Sequence, residues 1–270
     1  MITEEEFQRI VKYMKCKAGI NLSAKRVLIQ GRLDNYLQKE GYRSYSEFMD
    51  VVEAFPAGVQ AEYLLNALTT NHTYFWREYE HFLYLKETVF PKLVQKTANT
   101  KDWHIWCAAS STGEEPYTLA MLCMDYLGLE HPEWDTTILA TDIDTHVLET
   151  ARRGIYAKDS VEQLPATYVR RFFRKYNDKE YQVTKELKDE VLFRQFNLMN
   201  PLPFRKPLHV VFLRNVMIYF EEETKIRLLD QIYDKMDSGG YLFIGSTESI
   251  SQNYSRFEYI RPSIYRKPGY

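Results

Sequence analysis

The segment 105–121, IWCAASSTGEEPYTLAM, constrains the fold of this chain more than any other. A short apolar run breaks at Ser110-Ser111-Thr112-Gly113, and a helix follows with Glu114, Glu115 and Pro116 in its first turn. Strand, tight loop and helix N-terminus together aim backbone N–H groups and a partial positive charge at a ligand. Phosphate ligands favour a bare glycine loop in that place. Glu114 and Glu115 add negative charge instead, which suits a ligand carrying positive charge. A sulfonium and an ammonium in one molecule point to S-adenosylmethionine (SAM).

Alternating strands and helices run on from this segment. Strands are expected over 103–108, 137–141, 208–213, 240–245, 256–260 and 263–267, with helices over 114–127, 145–152 and 222–236 between the first four. That alternation implies a doubly wound, Rossmann-like α/β domain with a parallel sheet and ligands at the carboxyl ends of its strands. The stretch 154–196 interrupts it and reads as a small inserted β-subdomain containing a hairpin, with strands near 180–184 and 190–196. Residues 1–70 read as helices only. Thr3 and Glu6 have capping-box spacing, and Phe7, Ile10, Val11 and Met14 repeat at the helical period. A second helix is expected from Ser23 to Gly41, then helices over 44–54 and 57–68, and one more over 79–96. The domains are therefore an all-α unit (1–70), a linker with its helix (71–96) and a SAM-binding domain (97–270).

Composition narrows the class. Hydrophobic content of 45% and charged content of 27% describe an ordinary globular protein. A net charge of −2 lacks the basic surplus that nucleic-acid binding needs. The three cysteines, Cys16, Cys107 and Cys123, have neither pairing logic nor metal-ligand spacing, which fits a reducing compartment. No signal peptide or membrane span is evident, so the cytoplasm is expected, with no insertion into a membrane. The histidines are scattered and suggest no metal.

Asp142 and Asp144 follow the apolar strand, and a carboxylate there can accept hydrogen bonds from ribose hydroxyls. Asp142 comes 29 residues after Gly113, not the roughly 20 of a dinucleotide fingerprint, and Gly113 stands alone. Both departures weigh against NAD. Asp142, nearer the strand, is expected to be the ligand and Asp144 a helix cap. Arg214 and Asn215 end the third strand, where a bound ligand would meet them.

The segments 69–78 (TTNHTYFWRE), 109–117 (ASSTGEEPY), 140–144 (ATDID), 197–198 (NL) and 212–220 (FLRNVMIYF) together resemble the CheR family of chemotaxis receptor methyltransferases. The resemblance covers nearly the whole chain. It implies SAM as cofactor, S-adenosylhomocysteine as product and methyl esterification of glutamate side chains on the cytoplasmic helices of chemoreceptors. It places Asn71, Thr73, Arg77, Glu115, Asp142, Asn197, Leu198, Arg214 and Asn215 around the cofactor, and Arg77 and Tyr219 nearest the transferred methyl. Taken alone, Asn71 and Thr73 read as helix caps.

A glutamate carboxylate with a pKa of about 4.3 is ionised at neutral pH, so no general base is required. Alignment and desolvation are what such an enzyme must supply. Lys25, Arg32 and Lys39 share one helix face, with Arg26 beside them; taken alone they read as a solvated charged face. The resemblance makes Arg26 and Arg32, with Lys25, the contact for acidic receptor helices. Members of the family that grip a receptor's tail peptide have a glycine-rich loop in the insertion. The stretch 173–183 here has no glycine, so tethering by a tail peptide is not expected. A non-catalytic SAM- or receptor-binding module, and a methyltransferase acting on a small molecule or RNA, are the alternatives; the presence of Arg77, Asp142 and Tyr219 disfavours the first.

Overall fold

The computed structural model describes residues 1–269. Four helices open the chain: α1 (Glu4–Ala18), α2 (Arg26–Glu40), α3 (Tyr45–Ala54) and α4 (Val59–Leu68). The capping box forms as its spacing predicts: Thr3 Oγ1 accepts the Glu6 amide (3.2 Å) and the Glu6 carboxylate accepts that of Thr3 (2.9 Å). Phe7, Ile10, Val11 and Met14 are the buried stripe of α1. Helix α2 starts later than its sequence suggests, because Asn21 Oδ1 accepts the Ser23 amide and the Lys25 amide bonds Leu22 O. These bonds turn the chain before the helix begins.

Helix α5 (Tyr79–Tyr84), a π turn (Leu85–Val89) and α6 (Phe90–Lys96) continue one another as the single helix expected there. Then come β1 (Ile105–Ala108), α7 (Glu114–Leu127), β2 (Ile138–Asp142) and α8 (Thr145–Arg153). The insertion holds β3 (Ile155–Ala157), α9 (Lys158–Val161), α10 (Ala166–Phe172), β4 (Phe173–Lys175), β5 (Glu180–Val183) and α11 (Lys185–Asp189). Strands β6 (Val191–Gln195) and β7 (Leu208–Leu213), helix α12 (Glu222–Lys235) and strands β8 (Met236–Ile244), β9 (Glu258–Arg261) and β10 (Ile264–Arg266) complete the chain.

The main sheet has the order β6-β2-β1-β7-β8-β10-β9. Its first five strands are parallel, and β10 runs antiparallel to β8 and β9. The chain winds outward from β1 through β2 and returns to β7 on the other side of β1. That reversal opens a crevice at the strand ends, where doubly wound folds bind ligands.

One expectation fails here. The strand near 190–196 is not part of a hairpin in the insertion. It is β6, the edge strand of the main sheet, paired in parallel with β2 from Ile138↔Val191 to Asp142↔Gln195. The insertion's own sheet is β3-β5-β4. Val191 and Phe193 alternate inward onto the sheet core, and β6 pairs with β2 in parallel along its whole length. Periodicity reveals a strand but not its partner.

Side chains of β1 alternate between two cores. Trp106 and Ala108 join an apolar cluster that continues into the helical bundle through Leu33, Leu64 and Leu68. Ile105 and Cys107 join the cluster under α5–α7, with Phe82, Phe90 and Leu119. The front helices therefore share a core with the sheet, and the linker at 69–78 is pinned between two packed bodies.

Candidate active site

The crevice is a cavity at the carboxyl ends of β1, β2 and β7, where doubly wound sheets bind their ligands. Residues from every part of the chain wall it: Ala18 and Ile20 from the end of α1, Thr69–Thr73 and Arg77 from the linker, and the loops after β1, β2, β6 and β7. The loop after β1 is anchored by the Ser110 amide on Thr141 O (2.8 Å). Gly113 then begins α7 at φ +98°, where a Cβ would lie 2.8 Å from Ala151 Cβ and 2.9 Å from Tyr156 Oη. Only glycine fits between the helix and the insertion at that point.

Backbone strain gathers at this crevice. Trp76, Glu78, Ala109, Ser111 and Asn215 all have positive φ, and each lines the cavity or flanks Arg77. Such conformations persist where surrounding contacts over-determine them, most often around functional sites.

The charges are buried and interlocked. Arg214 is 1% exposed and pairs with Glu115 (2.5 Å) and Glu78 (3.1 Å), its guanidinium over the rings of Phe82 and Phe212. The Cys107 thiol donates to the other oxygen of Glu115 at 3.1 Å. Arg214 Nε is buried without a partner. Asp142 accepts the amides of Ser111 (2.8 Å) and Asp144 (3.0 Å), and burial pushes its pKa up to about 6. Asp144 is the N-cap of α8, accepting from His146 and Val147, as expected of one member of this pair. Its second oxygen accepts from Thr69 Oγ1 (2.9 Å) and Asn71 Nδ2 (2.7 Å), clasping the front domain to the sheet.

Asn71, Thr73, Arg77, Glu115, Asp142, Asn197, Leu198, Arg214, Asn215 and Tyr219 all line this one cavity. Neither Asn71 nor Thr73 caps a helix; Glu78 occupies that position for α5. Several of these side chains already have protein partners. Arg77 donates to His72 O (2.7 Å), and Asn197 donates to Lys17 O (2.6 Å) at the end of α1. Glu114 is turned away from the cavity, accepting from Thr112 Oγ1 (2.7 Å).

Lys25, Arg26 and Arg32 lie outside the cavity lining. Lys25 is exposed at the start of α2. Arg26 sits over the Phe7 ring, pairs with Glu4 and donates to Ile2 O. Arg32 donates to Ala67 O (3.0 Å) and to Thr69 O at the end of α4. Two of the three expected substrate contacts thus have work inside the fold.

Comparison with known proteins agrees with this geometry. Residues 71–265 match the CheR methyltransferase SAM binding domain, and residues 5–69 match the CheR methyltransferase all-alpha domain. A chemotaxis protein methyltransferase of Borreliella burgdorferi is 38% identical over 98% of this chain and 95% of its own length. That of Escherichia coli is 32% identical, over 98% of this chain and 91% of its own length. Chemotaxis protein methyltransferase 2 of Pseudomonas aeruginosa is 36% identical over 92% of this chain and 88% of its own. The chain belongs to the CheR methyltransferase family. It is a SAM-dependent chemotaxis protein methyltransferase.

This CheR-family cavity suits its cofactor chemically. The unpartnered Arg214 Nε can donate to a ligand carboxylate or hydroxyl. Asp142, with no cation paired to it among the described residues, retains lone pairs for ribose hydroxyls. Thr69, Glu78 and Ser111 shape the same site and were not singled out by sequence. Ser111 Oγ donates to Asn71 O (2.9 Å), tying the linker to the loop after β1. Glu78 and Thr69 stand inside the 69–78 motif, so the signal was present without a role attached.

Proposed function

We propose that this CheR-family enzyme transfers the methyl group of SAM to glutamate side-chain carboxylates on the cytoplasmic helices of chemoreceptors, forming glutamate 5-O-methyl esters and S-adenosylhomocysteine. The observation that carries the reading is the convergence of Arg77 and Tyr219 on the cavity that also holds Glu115, Asp142, Arg214 and Asn215.

Bound SAM supplies an electrophilic methyl on a sulfonium. Asp142 would accept hydrogen bonds from the ribose hydroxyls, and Glu115, held by Arg214 and Cys107, would offer a carboxylate to the cationic part of the ligand. Asn71, Thr73, Asn197, Leu198 and Asn215 complete the enclosure. Arg77 orients the incoming glutamate. Its hydrogen bond to His72 O restrains it from full neutralisation of that carboxylate, which would blunt the nucleophile. Tyr219 sets the lateral position of the reacting carboxylate. No residue need take a proton, because the acceptor is already ionised.

Lys25, Arg26 and Arg32 are the receptor-facing charges in this reading, with Lys25 the most accessible. Docking without a tail peptide is supported by the tight connection between β4 and β5, where Tyr176 and Asn177 amides both bond Glu180 O. No helix among the described residues is long and apolar enough to cross a membrane, and we place the enzyme in the cytoplasm.

The test is transfer of labelled methyl from SAM to a purified receptor cytoplasmic fragment, with its glutamates intact or changed to alanine. Base-labile label that disappears with the glutamates supports the reading. Tight SAM binding without transfer to that fragment overturns it.

A further inference from the structure

Glu248 lies outside the cavity lining yet holds one of its walls. It follows β8 on the loop beyond Ile244, and no sequence motif marks it. Its Oε2 accepts the amides of Gly245 (2.6 Å) and Asn215 (2.8 Å), and its Oε1 accepts that of Ile218 (3.2 Å). The carboxyl is largely buried, and desolvation pushes its pKa up in spite of those bonds. No cation pairs with it among the described residues. A buried carboxylate is costly unless it gathers donors, and here the donors come from two separate chain segments.

Both ends of the segment it grips line the cavity. Asn215 has φ +58°, and Tyr219 follows Ile218 in a 3₁₀ turn spanning Met217–Tyr219. The opposing segment has no slack. A Cβ on Gly245 would fall 2.4 Å from Asn215 Nδ2 and 2.8 Å from Glu248 Oε2. Glu78 secures the same pair of segments from its own side, accepting from Asn215 Nδ2 (3.3 Å) and from the Ser246 amide (3.0 Å). Main chain and side chain of Asn215 are thus held by two different carboxylates.

We infer that Glu248 is a positioning residue for methyl transfer, fixing Asn215 for the cofactor and Tyr219 for the acceptor through their backbone. The inference rests on the methyl-transfer reading above for its kinetic part and on SAM binding alone for the rest. Glu248→Gln keeps the size but turns an NH₂ group toward a backbone N–H, so the bracket loosens without creating a cavity. Gly245→Ala keeps the carboxylate chemically unchanged and wedges a methyl group between it and the Asn215 side chain.

The experiment compares full-length wild type, both variants and Leu93→Ala, a core change under α6, by calorimetry with SAM, by melting and by kcat and KM on the receptor fragment. Both Glu248→Gln and Gly245→Ala should weaken SAM binding at least about tenfold, the order expected when groups supporting a ligand-binding residue are removed. Each should also lower kcat toward the roughly 100-fold loss that a 1 Å misplacement costs, with KM for the receptor little changed. Leu93→Ala should lower the melting temperature and spare both constants. Wild-type SAM affinity and kcat in Glu248→Gln, or equal losses in Leu93→Ala, overturn the inference. A wild type that binds SAM but methylates no receptor sinks the functional reading alone, and the SAM affinities still decide the role of Glu248. If Glu248→Gln does not fold, Gly245→Ala carries the same comparison.

Discussion

The cavity and the outer face of α2 both carry charge, and they carry it in opposite ways. In the cavity, Arg214 is buried between Glu78 and Glu115 and Asp142 is held by backbone amides, as is Glu248 behind the wall. On α2, Lys25 is exposed to solvent, and Arg26 and Arg32 are half-buried. A buried charge with fixed partners is expensive to disturb, whereas an exposed one is screened and contributes little on its own. On the proposed reading, chemistry rests on buried groups that single substitutions should disturb most, and receptor docking on exposed charge, of which Lys25 by itself should matter only slightly.

The largest effect is expected from Arg214→Met. It leaves two carboxylates buried without their cation, at a cost of about 3–5 kcal/mol. Calorimetry should show SAM binding lost and denaturant unfolding should show the destabilisation; a variant that still binds SAM normally would erase the contrast between the two regions. Gly113→Ala comes next. Its Cβ meets Ala151 and Tyr156 at φ +98°, so overpacking of about 1–3 kcal/mol is expected in melting experiments, with weaker SAM binding.

A pH effect follows from Asp142. Its pKa rises on folding from 3.8 to about 6, so below pH 4 it is protonated in both states and costs nothing. As pH rises through 4 to 6, ionising it in the fold lowers apo stability by about 3 kcal/mol at most. SAM binding that uses the carboxylate should accordingly weaken as pH falls below about 6, by close to tenfold per unit. Titration calorimetry from pH 5 to 8 would show this, and Asp142→Asn should flatten the profile.

The remaining effects belong to α2, with Lys25→Ala the smallest. Arg32→Ala removes two hydrogen bonds to the end of α4 and should cost about 1–3 kcal/mol of stability. Lys25→Ala should leave stability unchanged and raise the KM for receptor only a few-fold, with a shallower dependence on salt. A Lys25→Ala enzyme that turns over no receptor at low salt would mean that docking is as concentrated as the chemistry.

Much of this was legible beforehand because the signals are local. The 105–121 stretch announces strand, turn and helix start through residues adjacent in the chain, and Thr3 with Glu6 announces a cap within one turn. Asp144 caps α8, the role expected of one member of the Asp142/Asp144 pair. Where partners come from afar, the sequence misled or was silent. Residues 190–196 have the period of a strand and no mark of pairing with β2. Lys25, Arg32 and Lys39 share a helix face with Arg26 beside them, and nothing in that spacing marks the contacts of Arg26 with Glu4 or of Arg32 with Thr69. Glu248 carries no motif at all.

By itself, the sequence determined that a helical unit precedes a doubly wound SAM-binding sheet, and which loops line its crevice. Capping, period and turn chemistry act over a few residues, so neighbours in the chain suffice to encode them. Only the tertiary structure decided that Arg214 is shared by Glu78 and Glu115, that the front helices continue the core of the sheet, and that Glu248 reaches back to Asn215. Those contacts join residues tens to hundreds of positions apart. They exist because burial leaves each charge and amide no water to fall back on, so whichever partner the fold brings near must serve.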